Sequence, residues 1–338
     1  MMFLHENGFS SYACGSGRKA TPEEHIRKFT WFLRAIVLGP RLHRDMNIPC
    51  FGRFSLRRRF NVDQVSFSWD GIGDYLYAQS QEGAYISSCV SGARQRLGTL
   101  HVCCCADPKA PWPRLGMILR SASNGKYFFE KERHFYHPAV TVYFNERAWA
   151  TREFVREWVE RDWKAFVQQE APKWMQEEGT ADCLMIQDSA AQHCGKEYID
   201  ALRMHRTESV YCVKGGTQAL LPVERGLGQA LKAGALHFQK QWLENDENLR
   251  RWENGEISSR EKRILATHWF GKSYEMLLSK EKELLRAEAF ECTGCNTDVD
   301  GMLNDTINVV GLGKHPIDMV PAGTLLFFIA LVYKYLHL

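Results

Sequence analysis

No apolar run in these 338 residues is long enough to cross a bilayer. The longest, Val320–Tyr333, holds fourteen residues against the roughly twenty that a helical span requires, and Pro321 and Gly323 fall inside it. It is expected to be a buried helix, or a tail outside the folded body, so no membrane is expected as a partner. Met1–Ser10 lacks a basic start followed by an apolar core, so no secretory signal is expected. Cysteine is present eleven times, an odd number that argues against a disulfide framework and for an intracellular reducing compartment. A dominant charge is missing too: the formal net charge is +3, which by itself announces no nucleic-acid binder. There is no internal repeat and no long low-complexity linker. With 45% hydrophobic and 25% charged residues, collagen-like and wholly disordered chains are excluded, and the length suffices for one large domain or two small ones.

What charge there is sits unevenly. Eleven basic residues against four acids precede Asp63, among them Arg57, Arg58 and Arg59. Such an arm suits a polyanion partner; it equally suits a solvated leader. Thr21–Leu38 can form one helix, broken by Gly39-Pro40, and no second helix with recognition-type spacing follows. Arg59–Trp69 then alternates, with Asp63, Val65, Phe67 and Trp69 on one face, as a half-buried strand does. Ala84–Val90, Leu100–Cys105 and Gly116–Arg120 continue an antiparallel meander.

Next the period changes to that of a helix. In Ala148–Gln169 the residues Phe154, Val155, Trp158, Val159, Trp163 and Phe166 recur at three- and four-residue steps, with Thr151 able to cap the start. An apolar strand at Cys183–Ile186, a helix at Lys196–Met204 and a strand at Ser209–Val213 follow. A long helix is expected from Pro222 to Leu243, and another over Ser259–Leu278. Strands first and then alternating strand and helix imply a mixed sheet flanked by helices.

Three acids occupy unusual places. Asp63 stands on the apolar face of its strand, where a carboxylate is costly unless paired, hydrogen-bonded or metal-bound. Asp188 follows the strand Cys183–Ile186 directly, and Glu224 lies in the first turn of a helix, where the dipole favours negative charge. Each has a bland explanation as a turn former or a dipole residue. Together, three converging carboxylates would attract hard divalent cations such as Mg²⁺ or Mn²⁺, and an ion pair of that kind can drive phosphodiester chemistry.

Asn61-Val62-Asp63-Gln64-Val65, Gln187-Asp188-Ser189-Ala190-Ala191-Gln192-His193, Thr217-Gln218 and Pro222-Val223-Glu224-Arg225-Gly226-Leu227 occur in this order. Thr99-Leu100, Pro111-Trp112-Pro113-Arg114 and Thr267-His268-Trp269-Phe270-Gly271 extend the set. The ordered set resembles the DDE superfamily endonucleases of the pogo/jerky-like branch of Tc1/mariner transposases, over about Arg59 to Leu312. The resemblance implies an α/β RNase H-like fold, an antiparallel meander followed by parallel strands, with the second acid after the fourth strand. It divides the chain into a basic segment (1–58), a catalytic domain (59–312) and an apolar tail (313–338). It also implies that Asp63, Asp188 and Glu224 hold two Mg²⁺ or Mn²⁺ ions and cut and join DNA at transposon ends, in the nucleus, and it allows a homodimer in a synaptic complex. His193 and Gln64 would support the site, and Arg57, Arg58, Arg59, Arg225 and Lys232 would contact DNA. The competing expectation is a transposase relative that binds DNA or protein without cutting.

Other features carry less. Cys103-Cys104-Cys105 reads as small buried hydrophobes, and the single Cys292-Thr293-Gly294-Cys295 lacks a partner pair for zinc. His193 can orient a ligand or cap the following helix; His268 reads as a packed histidine. Gly226 and Gly228 weaken a helix or let backbone approach the sheet. Arg250, Arg251, Lys262 and Arg263 form either a phosphate-contacting face or ordinary solvated charge.

Overall fold

Six strands form one mixed sheet: β1 (Arg59–Phe67), β2 (Gly98–Cys105), β3 (Leu115–Arg120), β4 (Val140–Asn145), β5 (Cys183–Gln187) and β6 (Thr207–Tyr211), in the order β4-β3-β2-β1-β5-β6. The computed structural model describes residues 40–41, 50–51, 54–68, 98–121, 125–212, 216–296 and 306–308. The helix expected at Thr21–Leu38, the strand at Ala84–Val90 and the apolar Val320–Tyr333 lie outside the described residues. β2 runs antiparallel to β1 and β3; β4 is parallel to β3, and β5 and β6 are parallel to β1. This is the RNase H-like arrangement the resemblance implied. The chain pattern did not foresee β4, nor α1 (Gly125–Glu132) before it, and Asp188 follows the fifth strand of the described sheet where the resemblance implied the fourth.

The alternation of β1 assigns its two faces. Phe60, on one face, is fully buried against Trp163, Phe166 and Trp174, with its ring centroid 4.9, 5.6 and 6.3 Å from theirs. Those rings belong to a π turn over Val159–Trp163 and to α3 (Lys164–Glu178), which with the preceding α2 (Arg152–Trp158) make one long helix. Thr151 caps it as expected, its hydroxyl accepting from the Phe154 amide at 3.2 Å. α4 (Lys196–Met204) runs between β5 and β6, with the bounds the pattern indicated.

On the other face, Phe67 stacks on Phe270 of α8 (Ser259–Leu278) with centroids 4.8 Å apart. α5 (Thr217–Leu220), α6 (Gly228–Leu243), α7 (Asp246–Glu253) and α9 (Glu283–Glu291) are the remaining helices described. β1 is more than half-buried: Arg59–Asp63 is buried at every position, because strands flank it on both sides and helices cover both faces. Cys103, Cys104 and Cys105 are buried free thiols on alternating faces of β2, as small core residues. Among the described residues, no helix is long and apolar enough to cross a membrane.

One expectation for a cationic surface is corrected here, and a second surface is resolved. Arg58 is fully buried and donates to Glu178 Oε2 at 2.8 Å, and the buried Arg59 donates to the Phe54 carbonyl at 2.8 Å. Both therefore hold the chain before β1 onto the body and present no charge to DNA. Arg57 is exposed but shares Asp107 and Glu177. The second surface is the α7–α8 face, for which two readings were open. Arg250 pairs with Glu247 and Glu256, Arg251 with Glu261, and Arg263 with the buried Glu132, so its charge is largely neutralised within the protein.

Phe60→Ala should cost about 3–5 kcal/mol of stability, since the ring fills a fully enclosed aromatic site. A urea titration followed by circular dichroism checks this; a loss below about 1 kcal/mol would show that the site collapses to fill the space.

Candidate functional site

Asn61 lies two residues before Asp63 on the same face of β1, fully buried. A buried amide must find partners, and this one finds them on two other elements. Its Nδ2 donates to the Ile186 carbonyl of β5 at 3.0 Å, and its Oδ1 accepts from the Val223 amide at 3.0 Å. One side chain thereby joins the strand bearing Asp63, the strand that ends at Asp188 and the turn bearing Glu224. The motif reading gave Asn61 no role. The signal was available: an amide on the apolar face of a strand that is otherwise hydrophobic.

The register does the rest for the first two acids. Val62 pairs with Gln187 across the parallel β1–β5 ladder, so Asp63 and Asp188 follow on adjacent strands, which lie about 4.8 Å apart.

The third acid stands where the expected helix breaks. The segment Val223–Leu227 forms a π turn, and Arg225 and Gly226 depart from helical geometry. Gly226 has φ +126°, a conformation that side chains rarely adopt, with nothing within 4 Å of where a Cβ would stand; backbone conformation, and not space, calls for glycine here. Gly228 serves differently. A Cβ there would come within 2.9 Å of Val65 Cγ2, so its absence lets α6 lie directly on β1.

The electrostatics follow from burial. Asp63 is 7% exposed. Its Oδ1 accepts from the Gln64 amide at 2.7 Å, while its Oδ2 is buried with no partner among the described residues. Burial pushes its carboxyl up to about 7; the Gln64 hydrogen bond opposes this, and the negative charges of Glu224 and Asp188 add to the rise. Both of the other acids thus act on Asp63 through space. Glu224 is solvent-exposed, and its carboxyl is raised by partial desolvation, offset by Lys232.

His193 is fully buried, so it is no surface cap. Its Nδ1 meets Asp188 Oδ1, and its Nε2 lies 3.2 Å from Gln64 Nε2. A carboxylate only accepts, so Nδ1 carries the proton and Nε2 accepts from the Gln64 amide. Tyr211 donates to the His193 carbonyl at 2.7 Å and holds the loop from the far strand. Behind this pair His101, opposite Gln64 on β2, packs on Phe154 and Trp158, and burial drives its pKa far down, keeping it neutral.

An orphaned buried carboxylate oxygen within the field of two more carboxylates is the donor chemistry that a hard divalent cation relieves. Asp63 has the chemistry for such an ion, with Asp188 next to it, directly after the adjacent strand. Among the described residues no three His, Cys, Asp or Glu side chains already stand at ligand spacing. Arg225 has a buried Nε without a partner among the described residues, next to Glu224, and Lys232 lies one helical stretch further on.

Residues 95–296 match the profile of the DDE superfamily endonuclease family. Solved structures with a similar fold include the Mos1 transposase catalytic domain with raltegravir and Mn, at 10% identity and TM-score 0.37, covering 77% of this chain and 94% of that one. A pre-cleavage Mos1 transpososome is similar at 12% identity and TM-score 0.39, covering 81% and 68%. The catalytic domain of Mos1 mariner transposase is similar at 10% identity and TM-score 0.30, covering 78% and 97%. Among curated proteins, none matches this chain.

The raised Asp63 carboxyl has a stability signature in metal-free buffer. Between the ordinary value of 3.8 and about 7, the folded chain keeps a proton that the unfolded chain has lost, so stability falls as pH rises through that window. Asp63→Asn removes the effect and should stabilise the apo protein at pH 8 by up to about 4 kcal/mol. The gain should vanish near pH 4. Urea midpoints with EDTA at the two pH values check this; equal midpoints at pH 8 would show that Asp63 ionises freely.

Proposed function

This chain belongs to the DDE superfamily endonuclease family, and from that premise we propose that it is a transposase-type DNA endonuclease and strand transferase, using two divalent ions held by Asp63, Asp188 and Glu224. The observation that carries the proposal is the buried, unpartnered Asp63 Oδ2 under the combined field of Asp188 and Glu224. Mg²⁺ or Mn²⁺ bound there would supply activation of a water or a 3′-hydroxyl and stabilisation of the leaving oxygen of a phosphodiester.

The chain's own residues prepare for this. Asn61 holds β5 and the Val223 amide against β1, and so fixes the strand before Asp188 and the turn bearing Glu224 relative to the strand of Asp63. His193 fixes one oxygen of Asp188 through Nδ1–H and leaves the other for a ligand. Gln64 orients the ring from β1. A histidine that holds a ligating carboxylate in this way tunes its orientation and basicity. Arg225 and Lys232 sit beside Glu224 and are proposed to meet the phosphates of the bound strand. The DNA partner is proposed to be a transposon end, with two copies of the chain pairing two ends in the nucleus.

A second reading has one observation in its favour. Glu224 is exposed and no three ligands are preassembled among the described residues, as in a relative kept for binding DNA or protein and no longer cutting it. One comparison separates the two. On the nuclease proposal, wild type nicks supercoiled DNA with Mn²⁺ or Mg²⁺, and Asp188→Asn abolishes nicking while keeping low-salt DNA binding. Wild type that binds DNA and never nicks it establishes the binding protein. Calorimetric titration of Mn²⁺ should likewise show binding that Asp63→Asn removes.

A further inference from the structure

Every strand but β2 points the same way, so β1, β3, β4, β5 and β6 end on one edge of the sheet, where Asp188 follows β5. Arg120, the last residue of β3, pairs with Asn145, the last residue of β4. The loop 145–151 then turns from β4 into α2. Arg147 lies in this loop, and Arg152 and Arg156 stand one turn apart on one face of α2. All four arginines are exposed, and none forms an ion pair among the described residues.

Many other exposed cations are matched within the protein. Farther along the same long helix Arg161 pairs with Glu157, Lys164 with Glu160 and Lys173 with Glu170. At the opposite edge Arg133 pairs with Glu130 and Arg206 with Asp182. Beside the four arginines the acids are Glu146 and Glu153. The Glu153 carboxylate is held by its own amide and by Thr151, and it lies in the field of Arg152 and Arg156. Four cations against two acids leave a surplus of two positive charges at this corner of the sheet.

The fold gathers these charges against a cost. Asn145 Oδ1 accepts from the Arg147 amide at 3.2 Å, and Thr99 donates to the Ala148 carbonyl, so the loop has a set course. Ala148 is buried with φ 53°, one of two non-glycine residues with positive φ among those described. Such a backbone persists only where its surroundings impose it. Arg152 stands in the first turn of the long helix, the end at which the dipole disfavours a cation. Arg152 and Arg156 also repel each other across one turn. Unmatched cations held together in this way suit a polyanion, from which they displace condensed counterions.

We propose that Arg120, Arg147, Arg152 and Arg156 form a strip that binds the phosphates of duplex DNA to one side of the cut; the proposal rests on the DNA-endonuclease reading above. The strand registers give the separation. Phe67, Gly98, Leu119 and Phe144 stand in one row across four strands, four residues beyond Asp63, and Asp63 is level with Asp188. Arg120 and Asn145 come one residue later, and β4 is four inter-strand steps from β5. At roughly 4.8 Å per step and 3.4 Å per residue, the strip begins about 25 Å from Asp188, less than the roughly 34 Å of one duplex turn. A duplex held at the acids therefore meets the strip within its next turn. Contacts to phosphate carry no sequence information, so the strip holds whatever sequence flanks the cut.

The test uses the full-length protein in EDTA, so that binding is read without cutting. Affinity for two labelled duplexes of unrelated sequence is measured by fluorescence anisotropy across a series of salt concentrations. The double variant Arg147→Gln/Arg152→Gln should reduce the slope of log affinity against log salt by about 2, and weaken binding at low salt by about 10- to 60-fold. Both duplexes should lose affinity alike. Arg147→Lys/Arg152→Lys keeps the charge and should keep the slope. Arg161→Gln/Lys164→Gln removes as much charge from matched positions on the same helix and should leave the slope near that of wild type. An unchanged slope in Arg147→Gln/Arg152→Gln overturns the proposal. So does an equal loss in both glutamine variants, which would assign the effect to net charge, or a loss confined to one duplex, which would assign it to base contacts. A change of oligomeric state in Arg147→Gln/Arg152→Gln with DNA binding intact overturns it too, giving the strip to a protein partner. Wild type that binds neither duplex overturns the endonuclease reading itself, a result distinct from the others.

Discussion

A single buried amide decides where the acids of this protein stand. Asn61 bonds to β5 through its nitrogen and to the turn before α6 through its oxygen. Each bond to a buried partner contributes about 1 kcal/mol net, but leaving either partner unsatisfied costs more. The arrangement is therefore over-determined: β1 cannot slip relative to β5 without stranding the Ile186 carbonyl, and the Val223 turn cannot lift away without stranding both its amide and Asn61 Oδ1. Cys104 adds a weak thiol contact to the Asn61 carbonyl from β2. Asp63, two residues along, inherits this fixed position.

That fixity explains why a carboxylate tolerates so poor an environment. Asp63 keeps one hydrogen bond and one orphaned oxygen, and its neighbours repel it. Natural folds retain such strain where function needs it. Around it the structure separates rigid from adjustable parts. Asp63 lies on β1 and Asp188 directly follows the adjacent β5, where the buried His193 holds it and is itself held by Gln64. Glu224 sits on a short turn between Pro222 and Gly226, set apart from the straight α6 by the break at Gly226.

Much of this was legible from residues alone, and the limits have physical causes. The alternation of β1 located Asp63 on a buried face, and the bounds of α4 and α8 came out as read; a Ser258–Glu261 capping box marks the start of the second. The order of motifs pointed to the fold. The strand β4 was missed because its run of Val, Tyr and Phe passes straight into an amphipathic helix that dominates the local pattern. The bend at Gly226 was missed because a helix pattern tolerates glycine without saying which backbone angle it adopts. Arg58 was misjudged for a different reason. Its carboxylate partner, Glu178, lies 120 residues away, and a local count of charge sees only the cations.

The same separations govern when the site can exist at all. The Asn61 bonds span 125 and 162 residues of chain, so nothing made before Val223 leaves the ribosome can complete them. A nascent or prematurely stopped chain carries the first two acids without the turn that brings the third. The Asn61 junction is thus completed only when most of the polypeptide has been synthesised.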